Sequence, residues 1–173
     1  MQQRILVAIV LGSTSDFETL KTSGAFQALE TCDVPYDVSV VSAHRNPEER
    51  ESHCADMRRR GALAFVAGAG MAAHLPGAIC AQFGGLVPVF GVPLDDDAVP
   101  AMQAMPGSRP VHVQSKGKAG FLNAVIGALQ FVSLTDPHVA GQFGQYMHDS
   151  NKQPIYGKAA IEEALAKAKK KEA

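Results

Sequence analysis

The chain has 173 residues, of which 46% are hydrophobic and 19% charged, and its formal net charge is −1. This length and balance are typical of one globular domain with a hydrophobic core. The near-neutral charge offers no electrostatic basis for binding nucleic acid or an anionic membrane, so neither is expected as a partner. Any bound phosphate is therefore expected to be held by backbone amides and one or two cationic side chains.

The cysteines and the apolar segments bear on the cellular compartment. Cys32, Cys54 and Cys80 form no CxxC pair. An odd, scattered set is typical of reduced thiols in a cytosolic protein rather than of a disulfide framework. The sequence opens without the long apolar region and cleavage site of a signal peptide, and its apolar runs are interrupted before they reach membrane-spanning length. We expect a cytoplasmic protein.

Strand-like and helix-like segments alternate along most of the chain. The first, residues 4–11, is the continuous apolar run RILVAIVL, which is typical of a strand buried on both faces of a parallel sheet. Later segments repeat the alternation, with loops rich in small and polar residues between them. The predicted strands are 4–11, 36–41, 63–67, 86–92 and 111–113, and the predicted helices are 16–30, 48–60, 74–82 and 120–134.

This alternation predicts an α/β fold, in which a parallel sheet carries helices on both faces and the crossovers are right-handed. After Pro137 the pattern changes, and residues 139–149 and 155–170 are predicted to form two amphipathic helices. We divide the chain into a main domain, 1–135, and a C-terminal helical extension of the same domain, 136–173. Because helices beyond a compact core often pack on another subunit, we expect these to do so in an oligomer.

Small and polar residues follow the first three predicted strands, in the segments 12–16, 42–46 and 68–74. In open α/β sheets a ligand binds beyond the carboxyl ends of the strands. We therefore predict that the three segments converge on one crevice and form the binding site.

The segment 12–16 reads GSTSD and opens a predicted helix. Glycine permits a tight turn, and hydroxyls together with helix N-terminal amides can surround an anion. Ser13 and Ser15 are the candidate hydroxyls, and Asp16 is a candidate acceptor for ribose hydroxyls. A role of Ser15 or Asp16 as a helix cap alone is equally compatible with the sequence. The segment is neither a P-loop nor a GxGxxG turn.

The segment that follows the second strand begins SAHR, at Ser42, Ala43, His44 and Arg45. A histidine can move a proton in either direction near neutral pH, and an arginine can hold a phosphate through two parallel hydrogen bonds. The alternative is that His44 only caps a backbone carbonyl. Its position at the end of a buried strand favours a functional role.

The segment 67–77 reads AGAGMAAHLPG and is unusually rich in small residues. Missing side chains let the backbone approach a ligand closely, so the amides between Gly70 and Leu75 are predicted to bind a carboxylate. His74 either makes a second polar contact with the ligand or orients the loop, and the sequence leaves both open. Residues 72–73 are interpreted as small residues for tight helix packing.

The sequence contains no pattern of metal ligands. Residues 95–97 are three consecutive aspartates, which we interpret as a solvated turn because adjacent side chains seldom face one ion. The other histidines lack a spacing such as HExxH, and no cysteine or serine stands in a nucleophile motif. No metal is therefore expected.

Together and in this order, the three motifs resemble the bacterial-type carboxyaminoimidazole ribonucleotide mutases of purine biosynthesis. GVP at 91–93, MP at 105–106 and GKAG at 117–120 extend the resemblance to about residue 135. A related carboxylase, which takes aminoimidazole ribonucleotide and carbon dioxide directly, carries Arg-Ser-Asn in place of the Gly/Ala/His run of the third motif. The resemblance therefore indicates the mutase branch.

The resemblance implies a flavodoxin-like three-layer fold, a homo-octamer with sites shared between subunits, and neither a metal nor an organic cofactor. The substrate would be N5-carboxyaminoimidazole ribonucleotide, whose carboxylate moves from the exocyclic nitrogen to the ring carbon in de novo purine biosynthesis. His44 would act as general acid and then as general base. The substrate-binding residues would be Ser13, Ser15, Asp16, Ser42, Ala43, Arg45, Gly70, His74 and Leu75.

One segment departs from the family pattern. Between 91–93 and 105–106 the link is shorter than the Ser/Ala/Leu-rich stretch of the family, and it reads LDDDAVP at 94–100. Two alternatives therefore stay open: direct carboxylation of aminoimidazole ribonucleotide, and carboxyl transfer with a shifted substrate. The alternative of another class is a non-catalytic nucleotide-binding module.

Overall fold

The computed structural model describes residues 3–150, and this part of the chain contains a five-stranded parallel sheet. Its strands are β1 (Val7–Leu11), β2 (Tyr36–Val40), β3 (Ala64–Ala69), β4 (Val89–Pro93) and β5 (His112–Val113). Their spatial order is β2-β1-β3-β4-β5, and every neighbouring pair is parallel. This is the flavodoxin-like strand order, so the predicted fold class is confirmed.

Helices cover both faces of the sheet. They are α1 (Asp16–Lys21), α2 (Ala25–Thr31), α3 (Pro47–Arg59), α4 (Leu75–Gln82), α5 (Ala98–Gln103), α6 (Gly117–Ser133) and α7 (Pro137–Ser150). Side chains of β1 alternate between the faces, so Ile9 and Leu11 join one apolar cluster while Ala8 and Val10 join the other. Helices α1, α2, α6 and α7 enclose the first cluster, and α3, α4 and α5 enclose the second. The result is the predicted three-layer arrangement.

The predicted helix over 16–30 is two short helices, α1 and α2. Gly24 between them has a φ of 84°, a left-handed conformation that interrupts a helix and that glycine adopts without strain. The Ser23 hydroxyl donates to the carbonyl of Leu20 at 2.6 Å and satisfies a carbonyl at the end of α1. The prediction of one continuous helix is therefore wrong.

Other boundaries also differ from the predictions by a few residues, and β1, for example, begins at Val7 rather than at residue 4. Helix α5 lies in the segment interpreted as a link, and it forms because Ala98 and Met102, four residues apart, are both buried. Strand β3 continues two residues further than predicted, to Ala69, because it pairs with β4 over that length. Strand β4 begins at Val89 rather than at residue 86, and Leu86 is 89% exposed.

Helix α7 packs against α6 and α2. Val139 is only 1% exposed, and Phe143 and Tyr146 pack against the first apolar cluster. The second predicted C-terminal helix, 155–170, lies outside the described residues, and packing of the C-terminal extension on other subunits stays a prediction. Within residues 3–150, no helix is long and apolar enough to span a membrane.

Candidate active site

A cavity of about 560 Å³ opens at the carboxyl ends of β1, β2 and β3. Residues from all three polar segments line it, so their predicted convergence is confirmed. The segment that follows β4 also contributes to the wall, through Leu94 and Asp95. All ten predicted site residues line the cavity: Ser13, Ser15, Asp16, Ser42, Ala43, His44, Arg45, Gly70, His74 and Leu75. The structure brings them together, and their roles in binding and catalysis stay predictions.

The turn after β1 is held by its own polar groups. Oδ2 of Asp16 accepts a hydrogen bond from the amide of Ser13 at 2.9 Å. Oγ of Ser15 lies 2.9 Å from Oγ of Ser13 and 3.3 Å from Oδ1 of Asp16. Ser15 occupies the N-cap position of α1 but makes no side-chain capping hydrogen bond. These side chains form a polar wall of the cavity, and their role in binding stays a prediction.

The surroundings of Asp16 in the turn after β1 shift the pKa of its carboxyl group. Burial raises its pKa above the usual value of 3.8, and the negative charge of Asp95 adds to the rise. Hydrogen bonds from the amide of Ser13 and the hydroxyl of Ser15 act in the opposite direction but are outweighed. Next to these two carboxylates, a part of the ligand that offers hydrogen-bond donors is favoured over a part that carries negative charge.

The loop after β2 is shaped by the hydroxyl of Ser42. Its Oγ accepts hydrogen bonds from the backbone amides of His44 at 3.3 Å and of Arg45 at 3.2 Å. This turn presents the imidazole of His44 and the guanidinium of Arg45 to the cavity, and both residues are exposed. A guanidinium in this position can pair with an anionic group of a ligand.

The side chains of His44 and His74 join the second and third loops. Nε2 of His44 lies 2.8 Å from Nδ1 of His74, and the two ring planes meet at 74°. Since a neutral imidazole has one donor and one acceptor nitrogen, one ring donates to the other here. His44 thus contacts an imidazole at Nε2, and the alternative that it merely caps a carbonyl is not what the structure shows.

The loop after β3 has a strained backbone that a carboxylate supports. Met71 and Ala73 have φ values of 54° and 41°, in a region that costs a residue with a side chain about 1–3 kcal/mol. Oδ2 of Asp95 accepts from the amide of Met71 at 2.7 Å, and Oδ1 accepts from the amide of Ala98 at 2.9 Å. A Cβ atom on Gly70 would lie 2.5 Å from Asp95 Oδ2, so a side chain at this position would displace the Asp95 carboxylate.

Two interpretations of the sequence need correction in this region. Both residues 72–73 belong to the loop before α4 and line the cavity, and only Ala73 is buried in the second apolar cluster, whereas Ala72 is exposed. The aspartates are not all solvated, because Asp95 bonds two backbone amides while Asp96 and Asp97 are exposed. The signal that would have marked Asp95 is its place two residues after a buried strand, at the same edge of the sheet as the other loops. Thr19, one turn into α1, also lines the cavity without having been predicted.

The chemistry of the cavity suits an anionic ligand that carries hydroxyl groups. The lining supplies a guanidinium, serine hydroxyls, a carboxylate and two imidazoles. Helix α4 also begins at this wall, and the first amides of a helix have no acceptor within it. Within residues 3–150, no group of three or more His, Cys, Asp or Glu is arranged to hold a metal ion.

A protein-family model described as AIR carboxylase matches residues 6–153 of the chain. The chain belongs to the AIR carboxylase family. Its relatives in this family include the N5-carboxyaminoimidazole ribonucleotide mutase of Bacillus subtilis, which is 40% identical over 156 residues covering 87% of this chain and 93% of the relative. The mutase of the same name from Escherichia coli K12 is 41% identical over 136 residues, 75% of this chain and 78% of the relative. The family resemblance expected from the three motifs is thus confirmed.

The fold of this chain is similar to that of a solved structure. The crystal structure of Treponema denticola PurE aligns with a TM-score of 0.71 and covers 85% of this chain and 92% of that one, at 23% identity. At this identity the similarity establishes the fold alone.

Proposed function

We propose that this chain is an N5-carboxyaminoimidazole ribonucleotide mutase, an isomerase of de novo purine biosynthesis. It moves a carboxylate from the exocyclic nitrogen of the substrate to the ring carbon, giving 4-carboxy-5-aminoimidazole ribonucleotide. Membership of the AIR carboxylase family and curated mutases of 33% to 41% identity support the proposal. The observation that carries it is the position of His44 in one cavity with the serine turn and the small-residue loop.

The phosphate and ribose of the substrate are assigned to the first two loops. Arg45 pairs with the phosphate, and the hydroxyls of Ser13 and Ser15 donate to it. Asp16 accepts hydrogen bonds from ribose hydroxyls, in addition to those that its carboxylate already accepts from the amide of Ser13 and the hydroxyl of Ser15. The turn around Ser42 and Ala43 then sets the distance between the phosphate and the acid–base group.

The heterocycle is assigned to the space between His44 and the third loop. In the reaction the carbamate releases carbon dioxide, a proton reaches the exocyclic nitrogen, the ring carbon attacks the carbon dioxide, and a proton leaves that carbon. His44 supplies the first proton and accepts the second, as general acid and then general base. The small-residue wall confines the carbon dioxide, and proximity favours its recapture over escape.

The amides of the third loop stabilise the migrating carboxylate in this assignment. The amide of Met71 is already bonded to Asp95, so the donors left for the substrate are those near the start of α4, around His74 and Leu75. The absence of a side chain at Gly70 leaves room for the Asp95 carboxylate that supports this loop.

The substitution His44→Asn tests the proposal. It is expected to leave the fold intact and to abolish turnover of the carbamate ribonucleotide, followed as migration of a labelled carboxylate. His138→Asn is a matched control, because His138 is an exposed histidine on α7 that bonds Asp33 outside the cavity. Full activity of the His44→Asn variant would overturn the assignment.

A second candidate is direct carboxylation of aminoimidazole ribonucleotide, which the description of the matched family names. The Gly/Ala/His run at 67–77 favours the mutase, whereas the short segment 94–100 marks a difference at the base end of the cavity. The two are separated by comparing turnover of the carbamate substrate with turnover of aminoimidazole ribonucleotide plus bicarbonate, without ATP. Calorimetric binding without either product would instead indicate a non-catalytic nucleotide-binding module.

We also infer the setting in which the enzyme works. It is assigned as a cytoplasmic homo-octamer, with one main domain, 1–135, and the C-terminal extension 136–173 packing on neighbouring subunits. Three buried free thiols support a reducing compartment. Neither a metal nor an organic cofactor is part of the proposed reaction. Light scattering coupled to size exclusion measures the assembly, and a monomer would contradict the octamer.

A further inference from the structure

The hydrogen bond between the two imidazoles uses one nitrogen of each ring. Nε2 of His44 meets Nδ1 of His74 at 2.8 Å. His44 therefore keeps Nδ1 for a reacting group, and His74 keeps Nε2 for another partner. Both residues are exposed, so water can reach this pair of rings. A proton can enter such a pair at one end and leave it at the other.

The backbone beneath each ring is fixed by contacts within the protein. The amide of His44 donates to Oγ of Ser42 at 3.3 Å. His74 stands at the N-cap of α4, and its carbonyl accepts from the amide of Ala78 at 2.9 Å. The fold thus places the backbones of the two histidines so that their rings can meet.

The other charged groups of the cavity do not replace this partner. The carboxylate of Asp16 bonds the amide of Ser13, and that of Asp95 bonds two amides, as described above. Arg45 is a cation and cannot accept a proton. The group placed to exchange a proton with His44 is therefore the second imidazole.

We propose that His74 is a positioning residue that relays protons to and from His44, an inference that rests on the proposed mutase function. In one state, His44 carries hydrogen on Nδ1, and its Nε2 accepts from Nδ1–H of His74. In the other state, His44 carries hydrogen on Nε2 and donates it to Nδ1 of His74, whose own hydrogen is on Nε2. Both states contain neutral rings.

The two states alternate during one turnover, and the protons balance. When His44 gives its Nδ1 proton to the substrate nitrogen, it takes a proton at Nε2 from His74, which takes one at Nε2 from a water molecule and leaves hydroxide. When Nδ1 of His44 then accepts the proton from the ring carbon, each transfer reverses and a proton returns to that hydroxide, which becomes water again. The relay resets His44 between its acid and base roles without leaving a charge on the pair.

The matched variants His74→Asn and His74→Leu test the relay. The asparagine side chain can hold a hydrogen bond to Nε2 of His44 but cannot pass a proton, and the leucine can do neither. We expect His74→Asn to lower kcat about 100-fold, the low end of what a positioned proton-transfer group contributes, with little change in KM. The proton inventory in mixed H₂O and D₂O should be curved for the wild-type enzyme and linear for His74→Asn.

A kcat of His74→Asn equal to that of the wild type would overturn the relay, and so would an effect confined to KM, which indicates substrate binding alone. The His44→Asn variant keeps the two proposals apart. If it is inactive while His74→Asn is fully active, only the relay fails, whereas an active His44→Asn variant removes the proposed acid–base assignment itself.

A measurement that needs no substrate completes the test. In protein labelled with ¹⁵N-histidine, long-range proton–nitrogen spectra distinguish the two neutral tautomers of each ring. The ring nitrogen signals of His44 are expected to move in His74→Leu, while those of His138 on α7 stay in place. Unchanged His44 signals would show that the two rings are not coupled and would overturn the proposal.

Discussion

Asp95 accepts a hydrogen bond from the backbone amide of Met71 at 2.7 Å, although the two residues are 24 positions apart in the chain. Its second oxygen accepts from the amide of Ala98 at the start of α5. One carboxylate thus ties the loop after β3 to the segment after β4, and it holds the left-handed conformation at Met71. The shape of the cavity wall follows from this link between two loops.

Removal of that carboxylate is expected to loosen the loop. Asp95→Ala should lower the free energy of unfolding by about 1–3 kcal/mol, because two backbone amides lose their acceptor. Asp95→Asn should lose less, since its carbonyl oxygen still accepts one of the two bonds. Urea unfolding measures both. Asp97→Ala is the control, because Asp97 is exposed and makes no capping hydrogen bond, and a loss there as large as in Asp95→Ala would contradict the prediction.

The negative charge of Asp95 is expected to contribute to the raised pKa of Asp16. Burial is the largest cause of the raised pKa of Asp16, and the negative charge of Asp95 is a further one. Asp95→Asn should therefore lower the pKa of Asp16 part of the way towards 3.8 without reaching it. A carboxyl-carbon NMR titration measures the change, and an unaltered pKa would show that the two carboxylates are not coupled.

The raised pKa of Asp16 also predicts how stability depends on pH. Between 3.8 and the raised value, the folded state binds a proton more tightly than the unfolded state. The free energy of unfolding therefore falls as the pH rises through that window, by linkage. In Asp16→Asn this contribution disappears, so the stability of the variant relative to wild type should increase as the pH rises through the window. Urea midpoints at successive pH values measure it, and a relative stability that decreases would contradict the assignment.

Gly70 is expected to tolerate no side chain while Asp95 is in place. In Gly70→Ala the new methyl would lie 2.5 Å from Asp95 Oδ2, which should destabilise the fold by about 1–3 kcal/mol. In the double variant with Asp95→Ala the clash disappears, so the two losses should not add. Gly144→Ala on α7 is the control, since among residues 3–150 no atom outside the adjacent backbone of α7 lies within 4 Å of its new methyl, and this change should stabilise the helix by about 0.5–1 kcal/mol. Strictly additive losses in the double variant would show that the methyl and the carboxylate do not meet.

The buried thiols are expected to resist alkylation in the folded protein. Burial raises the pKa of Cys54 to about 11, although Arg50 acts in the opposite direction, and burial also raises the pKa of Cys32 and Cys80. Since the thiolate is the reactive form, iodoacetamide at neutral pH should label none of the three until the chain is unfolded in urea. Mass spectrometry counts the adducts. Rapid labelling of Cys54 in the native protein would contradict its burial.

The sequence located the strands that matter most for the site, because β1 and β3 are short apolar runs, β2 alternates apolar and polar residues, and glycine or serine follows each of these predicted strands. It did not reveal the break at Gly24, where a single left-handed residue divides a segment of otherwise helical composition. It also did not reveal α5, because six residues with two apolar anchors are too few for a clear helical period. Local sequence patterns predict long, buried elements best. They predict poorly where a single backbone angle or a single tertiary contact determines whether a helix forms or ends.

The sequence by itself determined the alternation of strands and helices, the three polar segments at the strand ends and the family to which the chain belongs. These follow from hydrophobic periodicity and from residues close together in the chain. Only the tertiary structure decided that His44 meets His74 across two loops and that Asp95 supports the backbone at Met71. Each of these contacts joins residues more than twenty positions apart, and such a contact forms only when the sheet order brings different strand ends to one edge.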